Sequence, residues 1–137
     1  QIVRGMHHWG ASLVIVMMFL HTLRVFFQGA YKKPREMNWI VGVLIFMVMM
    51  GLGFTGYLLP WDMKALFATK VGLQIAEATP LIGPAIKTLL AGDPEIVGAQ
   101  TLTRFFAIHV FFLPAALLGL MAAHFLMIRR QGISGPL

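Results

Sequence analysis

The sequence predicts an all-α membrane protein: three transmembrane helices, with short surface helices in one long loop. Three observations predict it. Of 137 residues, 58% are hydrophobic and only 12% charged, and the mean hydropathy is +0.80, outside the range of an ordinary soluble domain. Three runs, residues 5–23, 37–61 and 105–128, contain no Lys, Arg, Asp or Glu, and each reaches the about 17 to 25 residues that a membrane helix needs. The net charge of +6 comes from residues at the ends of those runs. A nucleic-acid groove instead interleaves its basic residues with stacking aromatics on a soluble surface, so the expected surroundings are membrane lipid and no nucleic acid.

Taken in order, the helices are expected at about 5–27, 37–59 and 104–128, within a single domain spanning 1–137. The first break, 24–36, carries Arg24, Lys32, Lys33 and Arg35 against Glu36, with Gly29 and Pro34 as turn signals, and reads as a short connection between antiparallel helices. The second break is long, a surface-helical loop over 60–103 that mixes Asp62, Glu77, Asp93 and Glu95 with bases, Gly and Pro. Within it, 63–77 and 84–91 read as amphipathic helices at the membrane surface. Three spans make the first and third helices parallel. The basic first connection, together with Arg129 and Arg130 after the third helix, is expected on the cytoplasmic or stromal side, and the long loop on the opposite, positive side. There is no cysteine, hence no disulfide, no thiolate metal site and no thiol for covalent cofactor attachment within these residues. The start at Gln1, without a signal-peptide pattern, leads to the expectation of a fragment or a processed chain.

Four histidines form two matched pairs, His7 and His21 on the first helix, His109 and His124 on the last. Steps of fourteen and fifteen residues advance ~21 to 22 Å along a helix and return to roughly the same face. On parallel helices His7 and His109 share one membrane level, and His21 and His124 the other. That is the arrangement needed to hold two b-type haems, one above the other, non-covalently by paired axial imidazoles. The plainer reading is interhelical hydrogen bonding in a small bundle. His8 points about 100° away from His7, which suits an interface, surface or propionate contact better than ligation. Gly10, Gly42, Gly51, Gly53 and Gly56 leave space for a flat ring, although membrane helices also use glycine for close packing. Arg4, Arg24 and Arg104 lie within five residues of a paired histidine; they can bind propionates or snorkel to the interface. Pro114 is expected to kink the third helix.

The stretch Arg4, Met6, His7, Gly10-Ala11-Ser12, His21, then Gly56-Tyr57, Pro60-Trp61-Asp62, Thr101-Leu102-Thr103-Arg104-Phe105-Phe106 and His109 closely resembles the cytochrome b of quinol-oxidising bc and bf complexes. The fifteen-residue step from His109 to His124 and the ending HFLMIRRQGISGPL are similar to the short, split form of chloroplasts and many bacteria. The resemblance covers essentially the whole sequence and matches the second to fourth helices of the family's di-haem four-helix bundle. The first helix, which in the split form bears the cysteine for an additional covalent haem, has no counterpart in these residues. His8 stands where the split family commonly has an arginine.

The resemblance implies that His7 and His109 ligate the low-potential haem near the positive side, and His21 and His124 the high-potential haem near the negative side. It implies a quinol pocket near Pro60, Trp61, Asp62 and Met63, with the segment 63–70 as lining. Electrons would pass from quinol oxidised on the positive side to quinone reduced on the negative side, coupled to proton translocation. The implied partners are a subunit IV-like or C-terminal cytochrome b portion, a Rieske iron–sulfur protein and a c-type cytochrome, in a homodimeric complex of a bacterial inner membrane or thylakoid. A second reading makes the chain a di-haem anchor wiring a peripheral dehydrogenase to the quinone pool. A third, haem-free structural or transport subunit is separated from both by a visible spectrum.

Overall fold

In the computed structural model, residues 1–93 and 96–134 are described; Glu95 and the Gly135-Pro136-Leu137 end of the family-like motif lie outside them. The helices are α1 Ile2–Phe27, α2 Glu36–Leu58, α3 Met63–Glu77, α4 Gly83–Ala91, α5 Ala99–Ala107 and α6 Leu113–Gln131, with a π turn over Ile108–Phe112 between the last two. Three stretches, Ile2–Phe27, Glu36–Leu58 and Ala99–Gln131, are long and apolar enough to cross a membrane, and the chain is an integral membrane protein. The third begins at Ala99, earlier than its uncharged run. The Gly98 amide bonds back to Thr101 Oγ1 at 3.1 Å, satisfying a backbone donor at the helix start, so the polar residues ahead of Phe105 are already helical.

The chain divides into two compact units, Gln1–Met50 with Ala115–Leu137, and Gly51–Pro114. In the first, α1 buries none of its residues, and Leu13, Val16, Met17, Phe19 and Leu20 are exposed. Its hydroxyl side chains are satisfied within the helix, Ser12 Oγ donating to the His8 carbonyl at 3.1 Å and Thr22 Oγ1 to the Met18 carbonyl at 2.9 Å, as a lipid-facing helix requires. After α1 the chain turns through Gly29, and Tyr31 packs between Phe26 and Trp39, ring centroids 5.8 and 5.6 Å away. Arg35 donates from Nε and Nη2 to the carbonyls of Gly132 and Ile133 at 3.3 and 3.0 Å. This ties the α1–α2 connection to the end of α6.

The second unit has its own core. Leu58, Ala65, Leu73, Ala91 and Phe105 are buried together, flanked by Leu59, Leu90, Val97 and Leu102. Trp61 takes a left-handed φ of 55°, an uncommon conformation for a bulky residue. It follows the turn after α2 and leads into Asp62, whose carboxylate accepts the Ala65 amide at 2.8 Å and caps α3. Thr101, fully buried, donates to the Ala91 carbonyl at 2.7 Å, fastening α5 to the end of α4. Phe54 meets Phe105 with centroids 5.6 Å apart, so α2 and α5 pack around the loop helices.

The π turn has a local cause. Pro114 lacks an N–H and its ring would crowd the carbonyl four residues earlier; the helix widens instead, the Leu113 amide reaching the Ile108 carbonyl, a five-residue step. The kink expected at Pro114 is thus taken up by a π turn, a feature frequent at functional sites. His109 lies within it.

Candidate functional site

His7 and His21 lie on α1, His109 in the π turn and His124 on α6. In the first unit the α1 and α6 backbones stay apart, no Cα pair between them lying within 8 Å. Into that space project His21, which is exposed, and His124, which is partly buried, close enough to interact electrostatically. His124 rests on α2: a Cβ placed on Gly42 would stand 3.6 Å from its Cε1. Its Nδ1 is buried without a hydrogen-bond partner; the Asn38 backbone approaches the ring without meeting hydrogen-bond geometry. With one ring edge against α2 and a second imidazole nearby, His124 and His21 form a pair of nitrogen donors of the kind that haem accepts. The same unit holds His7, Arg4 and Arg24, all exposed, and Gly10, around which a Cβ would meet nothing within 4 Å. His8 packs edge-on against Trp9, with centroids 5.8 Å apart.

In the second unit His109 lies against α2. Its Nδ1 is 3.2 Å from Thr55 Oγ1, and a Cβ on Gly56 would fall 2.6 Å from its Cε1, so this approach of ring to helix is open only to glycine. Gly53 is exposed. The Arg104 guanidinium reaches the α4 carbonyls of Thr88, at 3.0 Å, and Leu89, where its charge complements the helix C-terminus. This tie between α4 and α5 accompanies the propionate role expected of Arg104, for which further N–H donors remain.

Pro60, Trp61, Asp62 and Met63 form the α2–α3 turn, with Met63 66% exposed. Beside it opens an apolar cleft of about 400 Å³, lined by Leu59, Leu102, Thr103 and Phe106, a size that suits a small flat ligand. Apart from Leu59 these walls come from the TLTRFF stretch of α5. A smaller, more polar recess of about 170 Å³ lies between α3, α4 and the chain before α5, beside the 2.7 Å Lys87–Glu77 ion pair. Sequence reasoning missed Thr55. The signal was available, because a hydroxyl inside a 25-residue uncharged run, 37–61, must find a partner.

Residues 12–137 match the family described as cytochrome b(N-terminal)/b6/petB. The chain belongs to this family. Similar curated proteins include the menaquinol:cytochrome c reductase cytochrome b subunits of Geobacillus thermodenitrificans, 98% identical, and Bacillus subtilis, 92% identical; in both, all of this chain aligns with 61% of the relative. The cytochrome b6 of Heliobacterium modesticaldum is 46% identical over all of this chain and 64% of its own length. Among solved structures, a chain of a hyperthermophilic respiratory complex III superposes on 97% of this chain and 36% of its own, with a TM-score of 0.83 and 32% identity. The chain thus spans about three fifths of the length of the curated relatives it matches. Membership of the cytochrome b N-terminal/b6 family implies haem binding.

Proposed function

We propose that the chain is the N-terminal, di-haem electron-transfer domain of a quinol:cytochrome c oxidoreductase, moving electrons from quinol oxidised on the positive side of the membrane to quinone reduced on the negative side, with coupled proton translocation. The observation that carries this reading is the His21–His124 pair, two imidazoles from α1 and α6 set across a gap the backbones leave open. His21 and His124 hold one b-type haem, and His7 and His109 the second. The paired imidazoles would hold haem between them, and bound haem would supply one-electron transfer. The chain's own residues hold and orient it: Gly10 and Gly53 leave room for the ring, and Arg4, Arg24 and Arg104 pair with carboxylate edges.

Pro60, Trp61, Asp62 and Met63, with the cleft walls Leu59, Leu102, Thr103 and Phe106, form this domain's share of the quinol pocket. The two relatives above 90% identity are named for menaquinol and cytochrome c, so menaquinol is the proposed donor. The remaining partners are the C-terminal or subunit IV-like portion of cytochrome b, a Rieske protein and a c-type cytochrome, in a homodimeric complex. An extra covalent haem would need a cysteine from outside these residues. The cleft beside the α2–α3 turn favours this reading over a bare di-haem anchor, which has no use for a ligand cleft there.

The test is His21→Leu in the assembled complex. Pyridine haemochrome spectra should show one b-type haem lost and one kept. Retention of both would remove the ligand assignment. Pocket inhibitors of quinol oxidation should separately stop haem reduction by menaquinol in the unmodified complex.

A further inference from the structure

We infer that Thr55 is a positioning residue for His109: its hydroxyl accepts the Nδ1 proton of His109 and thereby leaves Nε2 as the metal-binding nitrogen. The inference rests on the reading of His109 as a haem ligand.

A threonine hydroxyl has one proton and two lone pairs. Thr55 Oγ1 lies 2.8 Å from the Gly51 carbonyl, 3.4 Å from the Leu52 carbonyl and 3.2 Å from His109 Nδ1. The side chain is only 4% exposed, so water does not compete for these positions. The short bond to Gly51, one turn back on α2, takes the hydroxyl proton. What the oxygen then turns toward His109 is a lone pair, and a lone pair accepts only from an N–H. The ring nitrogen facing it therefore carries the proton. In a neutral imidazole with Nδ1 protonated, the free electron pair is on Nε2.

The neighbouring residue completes the seat. A Cβ at position 56 would stand 2.6 Å from Cε1, 3.1 Å from Nδ1 and 3.3 Å from Nε2, so the ring edge lies close over the α2 backbone. One hydrogen bond and one close backbone approach, from adjacent residues, set the ring's tautomer and rotation. This is the second layer of support that ligating histidines use, and accepting the Nδ1 proton also raises the basicity of the ligand. A more basic ligand stabilises the oxidised iron. Removing the acceptor should make that haem easier to reduce.

The experiment compares Thr55→Val, which keeps the shape and loses the hydroxyl, with Thr55→Ser, which keeps the hydroxyl, in the assembled complex. Haem content, redox titration of each b-type haem and the low-spin electron paramagnetic resonance signals are the readouts. Thr55→Val should retain both haems and raise the reduced-to-oxidised ratio of one several-fold at fixed ambient potential, with a changed resonance for that haem; Thr55→Ser should match the unmodified complex. If Thr55→Val does not assemble, Thr55→Ala gives the same comparison. Unchanged titrations and signals in the apolar variant, or equal shifts of both haems, would overturn the assignment. His109→Leu separates the two layers of the argument. Loss of one haem there, with no response to Thr55→Val, removes only the role of Thr55; retention of both haems in His109→Leu removes the ligand reading itself.

Discussion

Two glycines of α2 support histidine rings at different clearances. A Cβ at position 56 would stand 2.6 Å from His109 Cε1, while one at position 42 would make ordinary contact, 3.6 Å, with His124 Cε1. Gly56→Ala should therefore displace the His109 ring, at an overpacking cost of about 1 to 3 kcal/mol, and lower haem occupancy at one site only. Gly42→Ala should leave haem content unchanged. Haem-to-protein ratios of the two purified variants check both outcomes. Thr101 is a second sensitive residue: fully buried, it accepts from the Gly98 amide and donates to the Ala91 carbonyl. Thr101→Val strands both groups, at about 1 to 3 kcal/mol each, and should lower the melting temperature of the α3–α5 region without removing haem. The spacing of the four histidines is a property of the sequence alone and was legible there. The partners of Thr55 and Thr101 were not legible, because each lies on a different element, His109 in the π turn and Ala91 on α4.

Hydropathy and charge located the three spans and both loop helices, but the turns joining them depend on single residues. Asp62 caps α3 through the Ala65 amide. Asp62→Ala should cost about 1 kcal/mol, read as faster hydrogen exchange at the first turn of α3, with Asp62→Asn retaining most of the protection. Pro114 leaves the π turn that carries His109. Pro114→Ala restores an N–H donor, so the turn should contract toward an α-helix; under the proposed ligation by His109 and by His21–His124, the resonance signal of one haem should change and that of the other stay in place. The proline announced an irregularity. Its form as a π turn was not legible, since kinking and widening both satisfy the missing donor.

Across the whole chain, three spans put the α1–α2 connection and the α3–α4 loop on opposite sides of the membrane. The sequence has no cysteine, so Lys33→Cys and Leu81→Cys provide single reporters at exposed positions. A membrane-impermeant thiol reagent applied to intact cells should label Leu81→Cys and spare Lys33→Cys; labelling of both from one side would contradict the topology. The sequence by itself determined the membrane class and the three spans, because composition and run length are read along a single chain. Only the tertiary structure decided that Thr55 faces His109, that Arg104 holds the end of α4, and that α5 supplies most of the wall of the apolar cleft. Those pairings join residues far apart in sequence, and hydrogen-bond geometry and side-chain fit select among partners that hydropathy treats alike.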